Sequence, residues 1–172
     1  MMRLPAFIAA AGLASAPAMA AELTLNLEIP RLAVAEYHRP YVAIWLERPD
    51  QQAVATLAVW YDVAKRNQEG EKWLKDLRQW WRRAGRSLTM PVDGVSGATR
   101  APGRHTLAID TSRPPFAGLA PGDYTLVVEA AREVGGREML RLPFQWPPAT
   151  AARTASAQGS EELGAVSLEL KP

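Results

Sequence analysis

The sequence predicts an all-β fold, an antiparallel β-sandwich with one amphipathic helix inserted. Three observations carry this. Apolar and polar residues alternate with period two in several short runs. Pro- and Gly-containing turns separate those runs at short intervals. The one stretch with helical periodicity stands alone, without the repeated strand-helix-strand order that builds a parallel sheet.

Residues 1–20 have the form of a secretory signal peptide. Arg3 gives a basic start, residues 6–14 an apolar run, and Ala18-Met19-Ala20 the small residues of a cleavage site, so cleavage is expected near Ala20. The apolar run is too short to span a bilayer, and no later segment approaches the roughly 20 apolar residues that a spanning helix needs. The expected mature protein is exported to the periplasm. Residues 21–172 form its one domain, with no repeat and no internal boundary.

From Leu23 the elements follow in order. Leu23, Leu25, Leu27 and Ile29 alternate with Thr24, Asn26 and Glu28, the mark of a half-buried strand, and Pro30 ends it. The run Tyr41–Glu47 is apolar almost throughout, which predicts a central strand covered on both faces. Pro49 and Asp50 then turn the chain, and residues 54–61 return as the second strand of a hairpin. Trp45 and Trp60 fall on these strands as core residues. Residues 69–86 carry Trp73, Leu77, Trp80, Trp81 and Ala84 at helical spacing with Leu74 beside them, predicting a helix with one apolar face. Glu69 and Glu71 near its start and Arg82 and Arg83 near its end suit the helix dipole, and Gly85 reads as its stop.

Beyond residue 100, Ala101-Pro102-Gly103 makes a turn and residues 104–109 a strand, and Pro114-Pro115 requires a loop. Pro121-Gly122 opens a strand that runs to Glu129, Gly135-Gly136 reads as a tight hairpin turn, and Leu140, Leu142 and Phe144 mark the returning strand. Trp146-Pro147-Pro148 ends that strand, residues 149–160 read as a long loop, and Val166, Leu168 and Leu170 alternate in a closing strand. The segment Gly122-Asp123-Tyr124-Thr125-Leu126 resembles the late hairpin of immunoglobulin-like modules, so the resemblance implies an immunoglobulin-like sandwich.

Composition narrows the function. With 20 basic and 18 acidic residues the net charge is +2, and Arg3 is the only charge in residues 1–20. The mature chain is nearly neutral, with no clustered basic face of the kind that binds nucleic acid. There is no cysteine. That excludes disulfides, thiolate metal sites, cysteine nucleophiles and lipid attachment through an N-terminal cysteine.

The stretch that carries chemistry is Asp93-Gly94-Val95-Ser96-Gly97-Ala98-Thr99. It joins an acid, small residues and two hydroxyls between the Trp-rich segment and the later strands. Glycine reaches conformations closed to other residues and lets a second backbone approach closely, and successive N–H groups in a turn can cradle a phosphate. Arg100 and Arg104 follow with guanidinium groups shaped for phosphate. The run resembles the Asp-x-x-Ser-Gly-Ala-Thr acceptor motif of FAD:protein FMN transferases, and the surrounding chain resembles a family of bacterial predicted periplasmic proteins that carries it. The resemblance implies FMN held covalently, by phosphoester, on Thr99. Asp93 and Ser96 would serve recognition or loop geometry, Gly97 and Ala98 access, and Arg100 the phosphate. It implies two partners: the transferase, which needs FAD and a divalent metal, and a membrane electron-transfer protein. The chain is then the substrate of an enzyme and an electron carrier. The motif usually lies in a dedicated flavin-binding domain whose wider sequence is not found here.

Other chemistry finds less support. His38 and His105 lack metal-ligand spacing. Ser96, His105 and Asp110 could be written as a hydrolase triad, but no nucleophile-elbow context surrounds the serine. No glycine-rich dinucleotide fingerprint is present. Glu161 and Glu162 read as solvent-facing. The alternative from another class is a non-catalytic binding module, because the Pro-Gly-Asp-Tyr-Thr-Leu strand is also similar to immunoglobulin-like domains of flagellar hook-capping proteins.

Overall fold

The alternating runs pair into two sheets. In the computed structural model, which describes residues 21–172, the strands are β1 (Glu22–Ile29), β2 (Tyr41–Glu47), β3 (Ala53–Tyr61), β4 (Ser96–Ala98), β5 (Gly103–Asp110), β6 (Gly122–Ala131), β7 (Arg137–Trp146), β8 (Arg153–Gln158) and β9 (Ala165–Lys171). The expected signal peptide lies outside the described residues. One sheet has the order β5-β1-β9-β8 and the other β4-β3-β2-β6-β7. Every pairing is antiparallel except β3 with β4. The expected all-β sandwich is therefore the observed fold.

Leu23, Leu25, Leu27 and Ile29 of β1 all point into the layer between the sheets, where they meet Val42, Ile44, Leu46, Leu126, Val128 and Leu142. Each such side chain contributes about 1.5–3 kcal/mol by leaving water. Strand β2 is buried along its whole length because it has a core on each face. Its odd-numbered residues Tyr41, Ala43 and Trp45 pack outward against Leu74, Leu77 and Trp80 of the segment that follows β3. At the start of β6 the Tyr124 hydroxyl donates to the Ala120 carbonyl at 2.8 Å. A tyrosine bonded back to the chain just upstream is a feature of immunoglobulin-like sandwiches.

The single helix expected over residues 69–86 is broken into three pieces. A 3₁₀ segment spans Arg66–Asp76 with a kink at Asn67 and Gln68 (φ 54° and 56°), a six-residue α-helix, α1, spans Arg78–Arg83, and a further 3₁₀ turn spans Gly85–Ser87. Leu74, Leu77 and Trp80 are buried together against the sheet, although Leu74 lies in the first piece, Leu77 between the pieces and Trp80 in α1. Trp73 leaves the apolar face and is 47% exposed. Two buried carboxylates of the sheet then hold the pieces. Glu129 accepts the backbone N–H groups of Gln79 and Trp80 and an ion pair from Arg137, and so begins α1 at that point. Glu47 accepts the Trp45 indole N–H and pairs with Arg83 and Arg141. Gly85 stops no helix by a left-handed turn; a Cβ there would lie 2.6 Å from the Trp80 ring, so the glycine makes room for that indole.

Two further expectations change. Residues 149–160 contain the edge strand β8, whose inward side chains are Ala155 and Ala157. Alanines at a sheet edge bury too little to show as apolar alternation. The turn at residues 132–136 places the left-handed conformation on Val134 (φ 53°), and the two glycines serve close approach instead. A Cβ on Gly135 would fall 2.4 Å from the Arg132 guanidinium, and one on Gly136 would fall 2.9 Å from a Glu162 oxygen. Glu162, expected at the surface, is buried in a two-pronged ion pair with Arg132.

Candidate functional site

The motif is where the chain returns to the sheet. After the helical pieces, residues 92–96 form a tight turn in which Ser96 N donates to the Val92 carbonyl at 2.9 Å. The Ser96 hydroxyl closes the same turn by accepting the Val92 N–H at 2.9 Å. Gly94 sits at its tip with φ 69°, a backbone that favours glycine. Val59 N donates to the Val95 carbonyl at 2.9 Å, and β4 then runs parallel to β3 with Ser96, Gly97 and Ala98 opposite Val59, Trp60 and Tyr61. Parallel pairing follows from the long crossover between the two strands. The motif is thus a hydrogen-bonded turn over Asp93, Gly94 and Val95 followed by an edge strand over Ser96–Ala98, with Thr99 just beyond it. Its Val95 and Ser96 N–H groups are already engaged and offer no phosphate nest.

Gly97 lies against Trp60, where a Cβ would stand 3.4 Å from the indole. The Arg100 guanidinium covers the same ring at 5.2 Å, and the His105 ring meets it edge-on at 5.8 Å. Burial pushes the Tyr61 hydroxyl up from its ordinary pKa, while a hydrogen bond with Ser96 pulls the other way. The paper triad is not assembled. His105 pairs with the Ala101 carbonyl, Asp110 with Ser112, and Ser96 with the Val92 N–H.

The motif residues part company at the end of β4. Asp93, Gly94, Ser96, Gly97 and Arg100 line a groove of about 500 Å³ beside Trp60 and β5. Thr99, half-buried, lines a different cleft of about 450 Å³ together with Tyr37, Tyr41, Trp73, Lys65 and Arg132. Arg100 is therefore not brought to Thr99. The cations that line Thr99's cleft are Arg39, Lys65 and Arg132. Sequence reasoning missed them because they come from three separate segments. The run Tyr37-His38-Arg39, an aromatic and two cationic-type residues next to a strand start, was the one local signal.

The cleft has a definite donor set. Burial lifts the Tyr41 pKa to about 12, and its hydroxyl donates to the Gly70 carbonyl at 3.1 Å. Tyr37 is likewise raised, chiefly by burial, with the Arg132 charge opposing. Arg132 gives Nε and Nη2 to Glu162 at 2.9 and 3.1 Å, and its guanidinium carbon lies 6.0 Å from the centre of the Tyr37 ring. Among the described residues, Tyr37 Oη and Arg132 Nη1 are buried without a hydrogen-bond partner. Lys65 pairs with Asp62 at 3.0 Å, and His38 Nδ1 lies 3.5 Å from Glu133. Aromatic walls and unpaired donors suit a planar ring that carries acceptors, while the three cations of the lining are matched by Asp62, Asp76 and Glu133.

Fold and site together define a β-sandwich that presents a threonine hydroxyl on the lip of an aromatic cleft. Over residues 22–165 the sequence matches the family described as "Predicted periplasmic protein (DUF2271)", and the chain belongs to that family of periplasmic proteins. No curated protein and no solved structure matches it.

Proposed function

We propose that this protein is a periplasmic electron carrier that holds FMN covalently through a phosphoester on the Thr99 hydroxyl. The observation that carries the reading is the placement of Thr99. It follows directly on a short edge strand of small residues and stands half-exposed at a cleft large enough for a cofactor. In the attachment step the Thr99 oxygen forms a bond to the FMN phosphorus of FAD, the pyrophosphate bond breaks, AMP departs, and the hydroxyl proton passes to solvent or to a base of the transferase.

The chain's own residues have distinct parts in this. Ser96 holds the turn through its bond to Val92, and Gly94 gives that turn its shape. Gly97 and Ala98 make the strand that leads to Thr99 one of small residues, with Gly97 lying against Trp60. Asp93, exposed at the rim of the neighbouring groove, is placed for recognition by the transferase. Arg39, on the same cleft, offsets the charge of a phosphodiester at Thr99, whereas Lys65 is engaged by Asp62. FMN, when bound, supplies reversible electron transfer, and the covalent link keeps it with its carrier outside the cytoplasm. A membrane redox protein is the exchange partner on this reading.

The test is coexpression with an FAD:protein FMN transferase, read by intact mass and in-gel flavin fluorescence. The protein gains one FMN, and Thr99→Ala gains none. A chain that stays unmodified beside an active transferase contradicts the proposal and leaves the binding-module reading.

A further inference from the structure

The cleft beside Thr99 contains three features that the fold itself does not account for. Tyr37 Oη is buried and unpaired among the described residues. So is Arg132 Nη1, on a side chain only 6% exposed. A buried polar atom without a partner is costly, and two on one cleft call for a ligand that accepts hydrogen bonds. The third feature is Trp73, the one exposed aromatic among the large apolar side chains of the described residues. An exposed indole beside unpaired donors is the arrangement of a surface meant to be covered.

Glu162 fixes which atom of Arg132 is free. It takes Nε and Nη2, and its second role, accepting the Gly136 N–H at 2.7 Å, locks the carboxylate in place. Gly135 and Gly136 allow this, because a Cβ on either would collide with the pair. The turn thus holds a guanidinium rigidly against the Tyr37 ring with one N–H edge uncommitted. Tyr41 cannot substitute for these donors, since its hydroxyl is spent on Gly70.

We propose that this cleft seats the isoalloxazine of the flavin attached at Thr99, with Tyr37 Oη and Arg132 Nη1 donating to its carbonyl edge and Trp73 covering a ring face. The inference rests on the reading of Thr99 as the attachment point. Seating there would bring the free donors of Tyr37 and Arg132 to the ring's carbonyl edge, while the Arg132 charge itself stays balanced by Glu162. The cleft also sets how the ring is shielded from water, which a loose pendant flavin would not be.

The experiment uses the flavinylated protein and two substitutions that spare the Arg132 pair. Tyr37→Phe removes only the unpaired hydroxyl, and Trp73→Leu changes an exposed side chain. Both variants keep one FMN by intact mass. In Tyr37→Phe the ratio of quenched to unquenched flavin, from fluorescence-decay amplitudes, falls about fivefold, the equivalent of one neutral hydrogen bond. In Trp73→Leu the quenched component itself is lost. If FMN is attached but both variants keep the wild-type decay, absorbance and reduction potential, the flavin lies elsewhere and the seat is wrong while the attachment stands. If no FMN is attached to wild type, the attachment fails and the seat falls with it.

Discussion

Replacing Glu162 by Gln tests how the cleft's guanidinium is held. Glu162 accepts three hydrogen bonds, from Arg132 Nε, Arg132 Nη2 and Gly136 N, at 2.9, 3.1 and 2.7 Å. The two side chains are 6% and 4% exposed, so solvent screens the charges little. A glutamine fits the space but turns an N–H toward donors whichever way its amide is set, and it leaves the guanidinium charge buried without a counter-charge. Breaking a buried pair in this way costs about 3–5 kcal/mol. For a domain of this size about 2–4 °C of Tm accompanies each kcal/mol, which gives a fall of about 6–20 °C. Thermal unfolding followed by circular dichroism at neutral pH reads it, with the exposed Glu161→Gln as the control expected to move by little. The double change Arg132→Met with Glu162→Leu removes both charges and recovers most of the loss. A Glu162→Gln Tm within about 2 °C of wild type, less than one kcal/mol on this scale, would refute the reasoning.

Two other outcomes follow from local geometry. Gly85→Ala drives a methyl to 2.6 Å from the Trp80 ring and costs about 1–3 kcal/mol by overpacking, visible as a lower Tm with α1 still formed. A Gly85→Ala protein as stable as wild type means that the indole sits elsewhere. Glu138 gives a pH dependence. Burial alone would raise its carboxyl, but the backbone N–H groups of Ser160, Leu163, Glu161 and Glu162 outweigh this and hold it below the ordinary value of 4.5. A depressed folded-state value means that its stabilisation is present above the unfolded value and is lost as pH falls through the folded one. Glu138→Gln therefore lowers stability at pH 7 by about 1–2 kcal/mol at this half-exposed position, and the gap from wild type closes on acidification below pH 4.5. A gap that stays constant with pH contradicts the assignment.

The strands were legible where side chains alternate between water and a core. Leu23 to Ile29 and Val166 to Leu170 show that pattern directly, and the uniformly apolar β2 announced a cover on both faces. What the sequence concealed were interactions between distant segments. Nothing near Glu129 says that its carboxylate will start a helix at Gln79, fifty residues earlier, yet that bond helps explain why residues 69–86 do not form one helix. Ala155 and Ala157 were too small to mark an edge strand. At the candidate site, the motif located the hydroxyl but not its surroundings. Arg100 lies beside Thr99 in the chain but covers Trp60, whereas Arg132 and Tyr37, far away in sequence, line the Thr99 cleft. Thr99 and Arg100 follow the end of β4, and there only the fold decides what each side chain meets.

The electron-carrier reading depends on the Thr99 hydroxyl oxygen, and peptide mapping addresses that atom directly. Trypsin cuts after Arg86 and Arg100, releasing a peptide that contains Ser87, Thr89, Ser96 and Thr99 as its hydroxyl residues. After coexpression with the transferase, fragmentation of the yellow peptide is predicted to place one FMN on Thr99, to find Ser96 unmodified, and to show transfer retained in Thr99→Ser. A flavin on Ser96, or a colourless peptide from wild-type protein, would contradict the account.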